Sequence, residues 1–208
     1  MGANDVGRPR EFDIDQALRA ALKVFWRRGY QGASISELTE AMGVGRPSLY
    51  AAFGNKEALF RRALDLYDRE QMSQVAKALE EPTARRVAER HLAESCNALT
   101  IKDEPSGCLA INSVLACGET GQSIREEILS RRAGYEAKLI TRLEAARRSG
   151  DLPADADARG LAQYLTTITQ GMAVRAESGA TREELRRIAD AALKGWPAPE
   201  KRRAKRTA

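Results

Sequence analysis

The spacing of apolar residues and the placement of proline constrain the fold of this chain most strongly. Seven prolines interrupt its 208 residues, and the long segments between them repeat apolar residues three and four positions apart, the period of an α-helix. The sequence lacks a sustained alternation of polar and apolar residues, which is the pattern of a half-buried strand. We therefore expect an all-α protein of about nine helices.

Composition indicates a folded protein that does not cross a membrane. Hydrophobic residues make up 43% of the chain and charged residues 30%, and no apolar run approaches the roughly 20 residues that span a bilayer. Residues 1–12 are polar and lack the apolar segment of a signal peptide, so we expect a cytoplasmic protein. Residues 197–208 hold five basic side chains and one acidic one and account for most of the net charge of +5. Nucleic-acid binding therefore has to be argued from particular residues.

The cysteines and the single histidine offer little for a metal, a cofactor or catalysis. Cys96, Cys108 and Cys117 are odd in number and lack metal-ligand spacing, which favours reduced thiols. His91 adds little to a metal site, and the chain has neither a phosphate-binding glycine loop nor a nucleophile motif. We expect no metal, no cofactor and no enzymatic activity.

Two short helices near the N-terminus form the most informative local pattern. Ser34, with Glu37 as its capping-box partner, begins a helix of about two turns that Gly43 ends. Pro47 then lies in the first turn of a second short helix, which Gly54 ends. Two short helices joined by a glycine-containing turn predict a helix-turn-helix, whose second helix enters the major groove of DNA.

Longer helices surround this pair. Asp13 begins the helix that precedes it and Gly29 ends that helix, while Asn55 caps a long helix that extends toward residue 79. Ser123 is the predicted cap of the longest of the later helices, and Thr181, with Glu184 as its capping-box partner, is the predicted cap of the last one. Helices are predicted over residues 83–100, 107–117, 123–149, 157–178 and 181–194.

Residues 29–60 resemble the DNA-binding domain of the TetR (tetracycline-repressor) family. The resemblance is carried by Gly29-Tyr30, by Ala33-Ser34-Ile35, and by the run Ala41-Met42-Gly43-Val44-Gly45-Arg46-Pro47-Ser48-Leu49-Tyr50-Ala51-Ala52-Phe53-Gly54-Asn55-Lys56-Glu57-Ala58-Leu59-Phe60. Gly45 and Pro47 depart from the commonest pattern of the family, and Ala51 with Ala52 replaces a frequent pair of larger side chains. The base preference of a relative therefore does not transfer to this chain.

The resemblance implies a homodimeric transcriptional regulator, most often a repressor, that binds a double-stranded DNA operator. The candidate DNA contacts are Arg46, Pro47, Ser48 and Ala51 toward bases, and Ser34, Tyr50 and Lys56 toward phosphates. A lysine at a helix start opposes the helix dipole, but beside a phosphate its ammonium and the helix N–H groups act together. Arg8 and Arg10 are candidates for an arm in an adjacent minor groove, or are simply solvated.

The resemblance also implies four segments and a small-molecule effector. The segments are a flexible arm (1–12), the helix-turn-helix domain (13–60), a ligand-binding and dimerisation domain (61–196) and a basic, disordered tail (197–208). The last two helices would form the dimer. Between 157 and 178, two stripes suit such packing: Leu161, Leu165, Ile168 and Met172, or the smaller Ala162, Thr166, Thr169 and Ala173.

Polar groups in apolar surroundings are the candidate effector contacts. Asn112 lies in the apolar helix predicted over 107–117, and a buried amide needs a partner from backbone, water or ligand. The further candidates are Cys96, Cys108, Tyr135, Tyr164 and Gln170. Two alternatives remain open: a redox-sensing regulator that uses Cys108 or Cys117, and an architectural DNA-binding protein without an effector.

Overall fold

Helices account for the regular secondary structure of the residues described by this computed structural model, 13–115 and 121–198. The α-helices are α1 (Ile14–Gly32), α2 (Ile35–Met42), α3 (Arg46–Phe53), α4 (Lys56–Tyr67), α5 (Ser73–Lys77), α6 (Ala84–Leu99), α7 (Leu109–Leu115), α8 (Gln122–Arg148), α9 (Ala158–Glu177) and α10 (Arg182–Lys194). A π turn, Asp68–Met72, joins α4 to α5. With α4 and α5 counted as one interrupted helix, the described residues hold nine, which confirms the predicted all-α fold.

Side-chain caps begin several helices where the sequence predicts them. Ser34 and Glu37 form a capping box at α2, and Thr181 begins α10 in the same way. The Asp13 carboxylate accepts hydrogen bonds from two amides of the first turn of α1, and Asn55 accepts from an amide of α4. Each cap satisfies donors that the helix itself leaves unpaired.

The predicted cap of α8 is wrong. The helix begins at Gln122, one residue before Ser123, and Gly121 precedes it without a side-chain cap. The Ser123 hydroxyl instead donates to the Glu57 carboxylate of α4 at 2.8 Å. A hydrogen bond to a charged acceptor is stronger than one to a neutral group, so this serine links two helices.

Helix α1 bends at Gly29 and continues to Gly32, although the sequence predicted an end at Gly29. Gly29 has φ 69° and ψ 175°, a region that residues with a side chain adopt only under strain. Near the bend, the Asn112 amide of α7 donates to the Trp26 carbonyl at 3.0 Å. The Trp26 indole donates in turn to the Gly107 carbonyl, at 3.1 Å. Helix α7 is thereby fastened to α1.

Two groups of buried apolar side chains hold the helices together. The first lies among α1–α4 and includes Phe25, Trp26, Leu38, Leu49 and Phe60, together with Leu109, Ile124 and Ile128 from α7 and α8. The second lies among α6, α8, α9 and α10. Helix α4 crosses the domain boundary predicted after residue 60, and its later residues remain in the first group. None of the helices in the described ranges is apolar over enough of its length to traverse a lipid bilayer.

Candidate nucleic-acid interface and effector cavity

The turn between α2 and α3 is made by two glycines. Gly43 ends α2 in the left-handed conformation, with φ 66°, and its N–H donates to the Glu40 carbonyl. Gly45 precedes α3, and Pro47 lies in the first turn of that helix. Leu49 and Phe53 are buried in the core and fix the orientation of α3, so that the opposite side of the helix faces solvent.

Of the described residues predicted to contact DNA, Ser34 and the five on α3 are exposed, and Lys56 is half-buried. Ser34 is exposed although its oxygen caps α2, so its hydroxyl remains at the surface. The exposed residues of α3 are Arg46, Pro47, Ser48, Tyr50 and Ala51. The Tyr50 side chain is 45% exposed, which is unusual for a large aromatic side chain of a folded protein. These positions are therefore available to a macromolecular partner.

The Arg46 guanidinium is held by a neighbour on the preceding helix. Its Nη2 donates to the Ser36 hydroxyl at 2.8 Å. Ser36 thus restricts the side chain of the best candidate for a guanine contact before any DNA arrives.

Lys56 lies at the junction of two helix ends. Its ammonium is 4.8 Å from the centre of the Tyr30 ring and donates to the Gln31 carbonyl of α1 at 3.4 Å. Partial burial lowers the pKa of the Lys56 side chain. The ammonium is repelled by the positive N-terminus of α4. The negative C-terminus of α1 and the face of the Tyr30 ring attract it and offset that repulsion. The lysine has a structural role in addition to the predicted phosphate contact.

Three of the predicted groups lie outside the described residues: Arg8 and Arg10 of the N-terminal arm, Cys117, and the basic tail.

A cavity of about 870 Å³ lies in the C-terminal part of the described chain. Residues of α4 to α9 line it, and the walls are largely apolar. Such a volume and lining are typical of small-molecule sites. Of the predicted effector contacts, Cys108, Tyr135 and Gln170 line the cavity.

The other three predicted effector contacts are not part of the cavity wall. Cys96 is buried in the C-terminal core, where burial raises the pKa of its thiol. Asn112 is the structural amide bonded to Trp26. The Tyr164 side chain is 39% exposed, and its hydroxyl donates to the Ala192 carbonyl at 3.2 Å. The interpretation of Asn112 as a satisfied structural amide therefore fits this geometry better than ligand contact.

The sequence analysis missed His91 as a cavity residue. His91 is 2% exposed, lines the cavity, and its Nδ1 lies 2.7 Å from the Tyr135 hydroxyl. Burial lowers the pKa of the imidazole to about 4, so the ring is neutral. One sign was present in the sequence. His91 shares the apolar face of α6 with Val87 and Leu92, and a polar ring buried there needs hydrogen-bond partners.

Ion pairs connect α4 to α8 beside the cavity. Arg61 contacts Glu57 at 2.6 Å and Glu127 at 2.7 Å, and Arg131 contacts Asp65 and Asp68, each at 2.7 Å. Burial raises the pKa of the Asp68 carboxyl, and the Arg131 guanidinium opposes that shift. We call these six residues the α4–α8 ion-pair ladder.

Helix α9 exposes a stripe that neither sequence prediction identified. Most members of the two predicted stripes face inward: Leu165, Met172, Ala162 and Ala173 are buried, while Thr166 and Thr169 line the cavity. Four of the exposed positions, Tyr164, Thr167, Gly171 and Val174, follow one another at helical spacing, and we call them the α9 stripe. The Val174 side chain is 45% exposed. This surface is mixed in polarity, and Gly171 leaves open space at its centre.

Comparison with known protein families gives a match for each of the two parts of the chain. A family model described as bacterial regulatory proteins, tetR family, matches residues 17–63. A second, described as a tetracyclin repressor-like C-terminal domain, matches residues 84–192.

Two relatives from Escherichia coli (strain K12) are similar over most of their length. The HTH-type transcriptional repressor ComR is 39% identical over 193 residues, 92% of each chain. The HTH-type transcriptional repressor BdcR is 29% identical over 192 residues, 91% of this chain and 90% of that protein.

A solved structure shows the same fold bound to DNA. It contains a cysteine mutant of the TetR family transcriptional regulator CifR complexed with 26-bp double-strand operator DNA. The two chains share 38% identity with a TM-score of 0.85, and the match covers 92% of this chain and 100% of that one. The proteins named in these comparisons are transcriptional regulators.

Proposed function

The chain belongs to the tetR family of bacterial regulatory proteins, and on this basis we propose that it is a transcriptional repressor released from its operator by a small molecule. It binds an inverted-repeat operator as a homodimer, through Ser34, Arg46, Pro47, Ser48, Tyr50, Ala51 and Lys56. The operator complex of CifR, at 38% identity, supports the same mode of DNA binding for this chain.

One observation carries this proposal: a single helix connects the DNA side to the cavity. Helix α4 begins at Lys56, beside the exposed surface of α3, and its last turns bear Leu64, Asp65 and Tyr67, which line the cavity. A ligand that repositions the end of α4 therefore also repositions its beginning. Two-state coupling of this kind requires a mechanical connection between the two sites.

The α4–α8 ion-pair ladder supports the same route. Its pairs fix α4 against α8 along the helix, so a displacement of α8 by an effector is transmitted to α4. Helix α7 supplies a parallel connection, because its Ala110 and Ile111 line the cavity while its Asn112 holds α1.

Dimerisation through the last two helices agrees with the exposed α9 stripe. Gly171 has open space where a Cβ would stand, and Tyr164 and Val174 offer apolar area on both sides of it. A C2 dimer packs the same surface of both subunits against itself, and a small residue at the crossing lets two helices approach closely.

The reciprocity of ligand and DNA binding tests the proposal. A coupling free energy of about 1–3 kcal/mol would lower operator affinity roughly 5- to 150-fold when the effector is bound, and operator DNA must lower effector affinity by the same factor. Fluorescence anisotropy of a labelled operator, and calorimetry of the effector with and without operator, measure the two factors. Equal effector affinity in both states would rule out this mechanism.

Redox sensing through Cys108 is the second candidate function. The thiol lines the cavity, is partly exposed and lies against the Tyr67 hydroxyl, so an oxidant that enters the cavity reaches it. Treatment with hydrogen peroxide should then release operator from the wild-type protein and not from a Cys108→Ser variant. Release from both proteins, or from neither, would exclude this function.

A further inference from the structure

His91 provides a polar atom without a partner in the wall of the cavity. Its Nδ1 is bonded to the Tyr135 hydroxyl, and the two rings stack with centroids 5.7 Å apart. Its Nε2 is buried and has no hydrogen-bond partner. A buried polar atom left unpaired is costly, and each such atom in a folded protein calls for an explanation.

The short contact indicates which nitrogen carries the proton. A heavy-atom distance of 2.7 Å is typical of a hydroxyl donor and shorter than that of most N–H donors. The Tyr135 hydroxyl has one proton, and its other acceptor, the Val75 carbonyl, is 3.4 Å away. We therefore assign Tyr135 as the donor to Nδ1, so that the neutral ring carries its own proton on Nε2. The unpaired atom is a donor and requires an acceptor.

The charged side chains of the cavity wall are three acidic ones, Asp65, Asp68 and Glu136, and three basic ones, Arg131, Arg132 and Lys138, so their formal charges sum to zero. Asp65 and Asp68 are both paired with Arg131. The remaining wall is mostly apolar, with side chains such as Leu64, Val75 and Ile128. A charged group placed against these apolar side chains would lose its hydration without compensation.

We propose that the effector is an uncharged, largely apolar molecule with a hydrogen-bond acceptor oxygen, such as a ketone carbonyl, that it presents to His91 Nε2. This inference rests on the proposed function and specifies the ligand of that site. Gln170 supports it: this amide lines the cavity and makes no hydrogen bond within the described part of the chain. It provides a second polar contact beside the apolar body of the ligand.

The competing ligand class is an organic anion. Arg132 and Lys138 also line the cavity, and neither forms an ion pair with another described residue. If they select the ligand, a carboxylate should bind more tightly than the ketone of the same size. The two classes can therefore be separated by matched probes.

Three probe series test the inference with the full-length protein. They are alkyl phenyl ketones from acetophenone to octanophenone, phenylalkanoates of matching size, and alkylbenzenes of matching size, each measured by calorimetry. We expect the best ketone to bind at least about tenfold more tightly than its matched carboxylate. Carboxylates that bind as tightly as ketones, or ketones that do not bind at all, would overturn the inference.

Variants test the role of the histidine. His91→Leu should lower the ketone-to-alkylbenzene affinity ratio about fivefold, the effect of one hydrogen bond. His91→Gln, which keeps an N–H near the position of Nε2, should restore most of that ratio. Tyr135→Phe should lower the ratio because it frees Nδ1 to take the proton, whereas Thr141→Ala, at an exposed position of α8 outside the cavity wall, should leave it unchanged. A ratio that is the same in wild type, His91→Leu and Tyr135→Phe would overturn the inference even if one of the variants is less stable.

Operator binding separates this inference from the proposed function. If the ketone series fails while the ligand-free protein binds a symmetric operator, the ligand class is wrong and the repressor function stands. If no symmetric operator is bound, the proposed function fails whatever the probes do.

Discussion

Lys56 begins α4 beside the end of α1, and the two helix ends act on its charge in opposite directions. The start of α4 repels the ammonium, while the Gln31 carbonyl and the Tyr30 ring attract it. Partial burial lowers the pKa of this side chain, and a nearby phosphate would favour its charged form. The site is thus arranged to gain from an anion at the surface.

Replacement of Lys56 by Ala should weaken binding to operator and to nonspecific DNA alike. When log affinity is plotted against log salt concentration, the slope should become shallower by about one unit, because one phosphate contact is lost. Anisotropy titrations at several salt concentrations measure that slope. Lys77→Ala, an exposed lysine of α5, is the matched control and should behave as wild type. An unchanged slope in Lys56→Ala would remove Lys56 from the DNA contacts.

His91 makes the stability of the fold depend on pH. Its pKa is about 4 in the folded protein, against an ordinary value of 6.5, because burial disfavours the charged ring. The unfolded state therefore binds the proton more readily, and stability is lost as pH falls from 6.5 toward the folded pKa. Between about pH 7 and about pH 5 the loss from this residue is about 2 kcal/mol.

Urea unfolding of wild type and His91→Gln across this range measures the effect. The variant lacks a titrating group at this position, so its stability should fall less than that of wild type over the same interval. Parallel curves for the two proteins would show that His91 is not buried as a neutral ring.

Among the helices, the contact between α1 and α7 depends on a single glycine. A Cβ at Gly29 would lie 3.0 Å from the Asn112 carbonyl oxygen, and the backbone there is in a region that costs other residues about 1–3 kcal/mol. Gly29→Ala should therefore lower the free energy of unfolding by at least that amount. Gly134→Ala in α8, where a Cβ meets no atom within 4 Å, should be neutral or stabilising. Equal stability of the two variants would show that α7 does not require this approach.

Local signals predicted the helices and most of their caps, because Ser34, Asn55 and Thr181 act on amides within the same turn. Contacts between distant helices were not predictable in this way. For Asn112 the sequence left a ligand and a structural partner open, and its actual partner is the Trp26 carbonyl, near a bend that only the packed structure shows. Ser123 likewise bonds to Glu57 of another helix.

The effector cavity illustrates the same limit. Gln170 and Tyr164 lie on the same helix, yet one lines the cavity and the other faces solvent. The spacing of apolar residues could not show which face of α9 packs inward, because both of the stripes predicted from the sequence contain apolar residues. The outward stripe became visible only when the packing of α9 against α8 and α6 was known.

At the scale of the whole molecule, the α9 stripe should hold two subunits together. Val174→Asp would bury a carboxylate in that interface, and an unpaired buried charge is strongly destabilising. Light scattering after size-exclusion chromatography should show a dimer for wild type and a shift toward monomer for the variant. Ala145→Asp, at an exposed position of α8, is the control and should remain dimeric. A dimeric Val174→Asp protein would place the interface elsewhere.

The most direct test of the repressor account is selection of binding sites from random double-stranded DNA by the purified, ligand-free protein. Two recognition helices related by a two-fold axis read half-sites about one helical turn apart. The selected sequences should therefore form an inverted repeat with that spacing, and each repeat should bind an even number of subunits. Selected sequences without two-fold symmetry, bound by a single subunit, would contradict the account.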